Sequence, residues 1–334
     1  MWTSFSASRI GPATLRGVLA ACFVLVVGLV ACGSKDRQAT PSSSGLQEQG
    51  PQTAFKGRIV FQSDMDGDNE IYLLTADGLK RLTDNIWNDE FPKWSPDGAK
   101  IAFMANPGGP YELFVMNADG SGLRPLGRRE GRTRSRIGFA GLAWSPDGAT
   151  IAFTVEKKRG PFRSYQTWAV DVASGRMEKF LPWFDGQIAS PNFSPASPLV
   201  VFTGKKTIGW GVALADQDAR KAVFISDDGG ACRPHFAPDG RTVAYVSHAA
   251  DGKGDIWLMD PDGANKRRLT ERDGTYDYFP GWSPDGTRIV FCSNAESQYP
   301  YEGNWALWIV DVATKGATLL FDSPGRDVFP DWHE

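Results

Sequence analysis

The chain has 334 residues, of which 41% are apolar and 12% aromatic, enough to bury a large core in one or two domains. Its 37 glycines and 22 prolines exclude an architecture of long helices and point to many short strands and turns. A formal net charge of -3 gives no global reason to expect a nucleic-acid partner.

At the N-terminus, Arg9 and Arg16 precede an apolar run of 15 residues, Gly17 to Ala31. That run is short for a membrane span, which needs about 20 residues, but it suits an export signal. Leu29-Val30-Ala31-Cys32 resembles a bacterial lipobox, which implies cleavage after residue 31 and lipidation of Cys32. Gly33 follows, where by the same resemblance an Asp would favour inner-membrane retention. The expectation is a protein exported and lipid-anchored, at the periplasmic side of the outer membrane or at the cell surface. Residues 32–54 are rich in Pro, Ser, Gly and Gln and cannot bury enough surface to fold, so they read as a flexible tether.

From residue 55 to 334 one unit repeats. Its marker aromatics are Trp94, Trp144, Phe193, Phe236, Trp282 and Trp332. Seven residues after each of the first five stands a β-branched residue (Ile101, Ile151, Val200, Val243, Ile289), and two further on an aromatic (Phe103, Phe153, Phe202, Tyr245, Phe291). Each unit resolves into strand A with the marker, a Ser-Pro-Asp-Gly turn, strand B of the Ile-Ala-Phe type, strand C, a second turn and strand D. Pro pre-sets the turn's φ, Asp bonds its own backbone and Gly takes a positive φ. Four antiparallel strands in such a repeat fit a propeller blade. "GRIVF" at 57–61 is a strand B with no strand A before it, and Trp332 supplies the missing one. The expected fold is all-β: a six-bladed β-propeller of four-stranded blades, its last blade closed by the N- and C-terminal strands together.

"SPDG" at 95–98, 145–148 and 283–286, "APDG" at 237–240 and "SDMDGDNEIYLLTADGLKRLT" at 63–83 resemble propeller repeats of the TolB type. Those repeats also occur in the non-catalytic propellers of prolyl oligopeptidase-like peptidases and tricorn protease. The resemblance covers residues 57–334. It lacks the α/β domain that precedes the propeller of TolB. It implies a propeller that binds another envelope protein, as the TolB propeller binds the peptidoglycan-associated lipoprotein.

Strand alternation sends the B–C hairpins and D–A connections to one face and the short turns to the other, and long irregular loops are where binding groups sit on a rigid scaffold. The long-loop face collects Arg128, Arg129, Arg132, Arg134, Arg136, Lys157 and Lys158, with Trp183 and Phe184 beside them. Across the ring stand Asp64, Asp66, Asp68, Asp89, Asp277 and Asp327. Aromatic and Arg residues are favoured interface anchors, so this divided face is the expected docking surface. The alternatives are a binder of anionic glycan or lipid headgroups at the arginines, or a propeller enzyme such as a metal-dependent lyase.

Asp64, Asp66 and Asp68 are weak calcium candidates, since the glycine and the bidentate Glu of a calcium loop are missing. Only His235, His248 and His333 are present, two of them on one blade, too few for a convergent metal site. No Gly-x-Ser-x-Gly elbow occurs, so neither catalysis nor a cofactor is expected. Cys232 and Cys292 are expected as free buried thiols, with a disulfide open in an exported context. A monomer is expected, with membrane contact only through the N-terminal lipid.

Overall fold

Strand B of blade 1, Lys100–Ala105, shows why each sheet has two buried faces. Ile101, Phe103 and Ala105 pack with Val60 and Ile71 of one neighbouring blade, while Ala102 and Met104 pack with Leu142, Ile151 and Phe153 of the other. Successive side chains of a strand point to opposite faces, so a strand buried on both sides reads as a continuous apolar run. The computed structural model describes residues 51, 53–109, 111–127, 139–159, 162–205, 209–226, 230–272, 274–294 and 304–334. The export signal and the tether up to residue 50 lie outside the described residues.

Six four-stranded antiparallel sheets make the propeller. Blade 1 contains Asp89–Trp94, Lys100–Ala105, Glu112–Asn117 and Arg124–Pro125, with strand A innermost. Each inner strand touches the inner strands of both neighbouring blades, so six strands surround one axis. The apolar core is correspondingly a set of layers between adjacent blades rather than a single mass.

The Ser-Pro-Asp-Gly turns are self-contained. Asp97 Oδ1 accepts from Ser95 Oγ at 2.6 Å and from Ala99 N at 3.0 Å, Gly98 N donates to Ser95 O at 2.8 Å, and Gly98 takes φ 63°. The same contacts recur around Asp147 and Asp285. These aspartates serve turn formation.

Blade 6 is built from both ends of the repeat region, as the sequence predicts. Val328–His333 pairs antiparallel with Arg58–Ser63, placing Trp332 opposite Ile59. Trp332 Nε1 donates to Lys56 O at 2.8 Å, and its ring meets Phe55 edge-on at 5.8 Å. A Cβ on Gly57 would lie 2.3 Å from His333 O, so glycine is required for the two segments to close.

Blade 2 departs from the others. Its strands B and C, Thr150–Arg159 and Phe162–Asp171, run ten residues each where those of blade 1 run six. The four extra residues lengthen each of these paired strands by about 13 Å relative to its counterpart.

Deleting residues 328–333 exposes the edge of Arg58–Ser63 and of the sheet stacked on it, so the expected outcome is aggregation and loss of a cooperative melting transition. The milder Trp332→Ala removes a buried indole and should cost about 3–5 kcal/mol in denaturant melts. An unchanged melt in either variant would count against this closure.

Candidate functional site

Every inner strand contains a bulge. The A–B pairing slips between Glu90 and Lys93, Phe139 and Leu142, Ala189 and Asn192, Cys232 and His235, Tyr278 and Gly281, and Val60 and Gln62 opposite the last strand. At the slip, three residues before each marker aromatic, the backbone is left-handed: Phe91 (φ 60°), Gly141 (106°), Ser190 (46°), Arg233 (53°), Phe279 (58°) and Phe329 (56°). For non-glycine residues this conformation costs roughly 1–2 kcal/mol each. Five strained positions in register mark a place where the fold re-aims side chains, and such strain gathers at functional sites.

Those side chains meet at the axis. Phe329 lies 4.4 Å from Phe91 and 3.9 Å from Phe279, ring centre to ring centre. The Arg233 guanidinium stacks over Phe279 at 4.6 Å and over Tyr278 at 5.1 Å. The opposite half of the ring is small: a Cβ on Gly141 would come within 2.6 Å of Ser190 Cα. The lining of the axis is therefore lopsided, with three half-buried phenylalanines and an arginine on one side and Gly141 and Ser190 on the other.

One position before each marker lies the next layer. Lys93 Nζ and Asp331 Oδ1 pair at 2.8 Å across blades 1 and 6, and Asp331 Oδ2 accepts Trp94 N at 2.8 Å. Asn192 Oδ1 accepts Phe236 N at 2.8 Å. His235 contributes an enclosed Nδ1 with no hydrogen-bond partner among the described residues, and burial, reinforced by Lys93, pushes the imidazole down to about 4, leaving it neutral at neutral pH.

The acidic residues are not the expected surface. Asp89, Asp277 and Asp327 stand five residues before Trp94, Trp282 and Trp332 and are 0% exposed. Asp89 accepts Asn85 Nδ2 at 2.7 Å, Asp277 accepts Ser293 Oγ at 2.6 Å, and Asp327 accepts Ser323 N at 2.9 Å and Ser323 Oγ at 2.8 Å. They fasten loops to the inner strands, because a buried carboxylate needs partners. Asp64 pairs with Arg326 at 2.7 Å, and Asp66 accepts Tyr72 Oη at 2.6 Å and lies 3.3 Å from Arg81. Partial burial raises the Asp68 carboxyl, with Glu70 adding. Among the described residues no group of three or more His, Cys, Asp or Glu side chains is placed to hold a metal ion.

The aromatic anchors are also elsewhere. Phe184 packs edge-on against Phe202 at 5.1 Å in the layer between blades 2 and 3. Trp183 turns toward a groove that it shares with Asp147 and Ser197, both in turns of the opposite face. Sequence position gave the face of the connection and not the direction of these rings. Of the basic sector, Lys157 and Lys158 lie on the long hairpin of blade 2, Lys158 in register with Arg163. Arg128, Arg129, Arg132, Arg134, Arg136 and Cys32 lie outside the described residues. Cys232 and Cys292 are buried, and among the described residues neither is in a disulfide.

Residues 140–283 match the TolB beta propeller domain. Dipeptidyl-peptidase 5 of Porphyromonas gingivalis is 30% identical over 253 residues, 72% of this chain and 35% of that protein. The Tol-Pal system protein TolB of Gluconobacter oxydans is 26% identical over 237 residues, 69% of this chain and 50% of that protein. The crystal structure of TolB from Acinetobacter baumannii superposes with a TM-score of 0.66 at 16% identity, covering 83% of this chain and 66% of that one. The chain thus spans about a third of the length of the peptidase relative. The expectation that this chain is no enzyme does not stand, because a curated relative at 30% identity is a named peptidase. The argument from missing motifs fails for a physical reason: a propeller shares its repeats with enzymes and with binding proteins alike, so the repeats cannot exclude catalysis.

Burial pushes Asp89, Glu90, Asp255 and Asp327 up to about 7 and raises Asp277 as well. A carboxyl whose folded pKa lies above its unfolded value near 4 stabilises the fold fully below that value, and the contribution is lost as pH rises toward 7. The turn aspartates act in the opposite sense, held low chiefly by their serine hydrogen bonds, with Asp285 at about 2, and lose their contribution only in acid below about 4. Melting temperature should therefore be higher at pH 5.5 than at pH 8, and Asp89→Asn with Asp327→Asn should flatten the profile. A wild-type melt that is equal or higher at pH 8 would show that these acids are ionised in the fold.

Proposed function

Since the chain carries a six-bladed propeller of the TolB type, we propose that it is a protein-docking module of the bacterial cell envelope, tethered to a membrane by a lipid on Cys32. The observation that carries this is the blade 2 hairpin, whose paired strands run ten residues each and which carries Lys157, Lys158 and Arg159. Three successive basic residues in one segment, Lys157, Lys158 and Arg159, suit an acidic partner. Arg128, Arg129, Arg132, Arg134 and Arg136, in the preceding connection, extend the same basic sector. The partner inserts an apolar group at Phe91, Phe279 and Phe329 and is steered by the basic hairpin. A partner within a Tol-Pal-like system agrees with the name of the Gluconobacter relative.

A second reading rests on the peptidase relative: the propeller covers a peptidase active site and its channel sorts peptides by size and charge. Hydrolysis of dipeptidyl p-nitroanilides by the full chain checks it, with release above a blank as the supporting result.

Two outcomes test the first reading. Wild type should partition into the detergent phase and Cys32→Ser should remain unprocessed or aqueous, whereas equal partitioning would remove the anchor from the proposal. Each exposed ion pair contributes only about 0–1 kcal/mol, so the docking test changes a cluster. Lys157, Lys158 and Arg159 changed together to Ala should weaken capture of envelope partners at least as much as changing Lys266 and Arg267 on the other face leaves it intact. Equal recovery by all three proteins would put the docking surface elsewhere.

A further inference from the structure

The junction between blades 2 and 3 breaks a rule that three other junctions keep. At three other junctions the turn glycine faces the proline of the preceding turn, a Cβ on Gly148 standing 3.9 Å from Pro96, one on Gly240 3.8 Å from Pro195 and one on Gly286 3.8 Å from Pro238, while Gly98 faces His333 of the last strand. Blade 3 reads Ser-Pro-Ala-Ser, so Ser197 stands in place of the glycine and donates to Ser194 Oγ at 2.9 Å. At this one departure from the repeat a groove of about 850 Å³ opens, within the size range of small-molecule sites.

Its lining is amphipathic. Blade 2 supplies Trp183, Glu178 and Lys179, and blade 3 supplies Ser197, Gln217 and Arg220. Trp183 is half-buried, and among the described residues its indole N–H has no hydrogen-bond partner. Glu178, Lys179 and Arg220 form no ion pair among the described residues. Arg220 holds a left-handed turn position (φ 50°) that Gly175 fills in the preceding blade, so the change from glycine places a guanidinium at the groove. The charges balance, because Asp147 and Glu178 face Lys179 and Arg220, and no net field selects an anion.

We propose that this groove binds an uncharged oligosaccharide. A pyranose offers an apolar C–H face to an indole and a rim of hydroxyls that both donate and accept. The groove matches that demand with carboxylate acceptors, ammonium and guanidinium donors, and hydroxyl and amide groups that do either. The site lies away from the axial channel and does not rest on the docking reading.

The test is calorimetric titration of the full chain with cellotetraose, N-acetylchitotetraose, tetragalacturonate and a proline-rich decapeptide. The expected result is saturable binding of one or both neutral tetrasaccharides. Trp183→Ala should weaken it about tenfold or more, Trp183→Phe should retain most of it, and Arg220→Ala should weaken it less, all with unchanged melting curves. Saturable binding of neither neutral sugar would overturn the proposal. So would undiminished binding by a folded Trp183→Ala variant, tighter binding of the galacturonate, or binding of the peptide alone.

Discussion

The pairing of Val328–His333 with Arg58–Ser63 is the contact on which the remaining structure depends. Six sheets stacked face to face around an axis bury both faces of each sheet only if the first meets the last. Without that seam, two apolar faces and one inner edge would lie open, and every layer would lose its pressure from one side. The seam is accordingly dense in specific contacts. Trp332 is enclosed by Phe55 and the Lys56 carbonyl, Arg58 donates to Glu334 O at 2.7 Å, and Thr53 Oγ1 reaches Leu319 O at 2.6 Å. The seam thus ties together blade 6 and blade 5 as well as the two halves of one sheet.

A closed ring holds its inner strands in fixed positions, and the ring can then sustain backbone strain. Five non-glycine left-handed residues, each followed by proline, sit in register around the axis. The residue before proline is ordinarily extended, so the following proline opposes this conformation. The compensation is visible in the same strands: aromatic contacts among Phe91, Phe279 and Phe329, the Lys93–Asp331 pair, and buried aspartates that hold the loops above. Strain and its compensation concentrate at the channel mouth, where the long loops also end.

Fold was legible because it is repetitive. A marker aromatic, a turn that uses Pro, Asp and Gly for separate physical reasons, and a β-branched residue at a fixed offset identify each blade without knowledge of its neighbours. The channel was legible in principle and missed. In three blades the phrase Phe-Pro-x-Trp begins two residues after an aspartate, at Asp89, Asp277 and Asp327, and that longer phrase marks both the buried acid and the axial phenylalanine. Counting charges on a face treated those aspartates as exposed, although a recurring acid at a fixed place in an inner strand signals a buried partner network. Trp183 and Phe184 were legible only in part. Their connection is assigned to the correct segment, but which ring packs inward and which faces a groove depends on Phe202 and on the turn at Ser197, residues distant in sequence. Function was least legible, since the same repeats occur in a peptidase relative and in TolB.

The seam also sets the order of events during folding. Arg58 and Glu334, and likewise Lys56 and Trp332, are partners 276 positions apart. Blades 1 to 5 are assembled from hairpins that close over short loops, and these can form early and independently. The last contact requires a loop that spans nearly the whole propeller, so its entropic cost falls at the end. The seam thus carries a loop-closure cost that the hairpins within blades 1 to 5 do not.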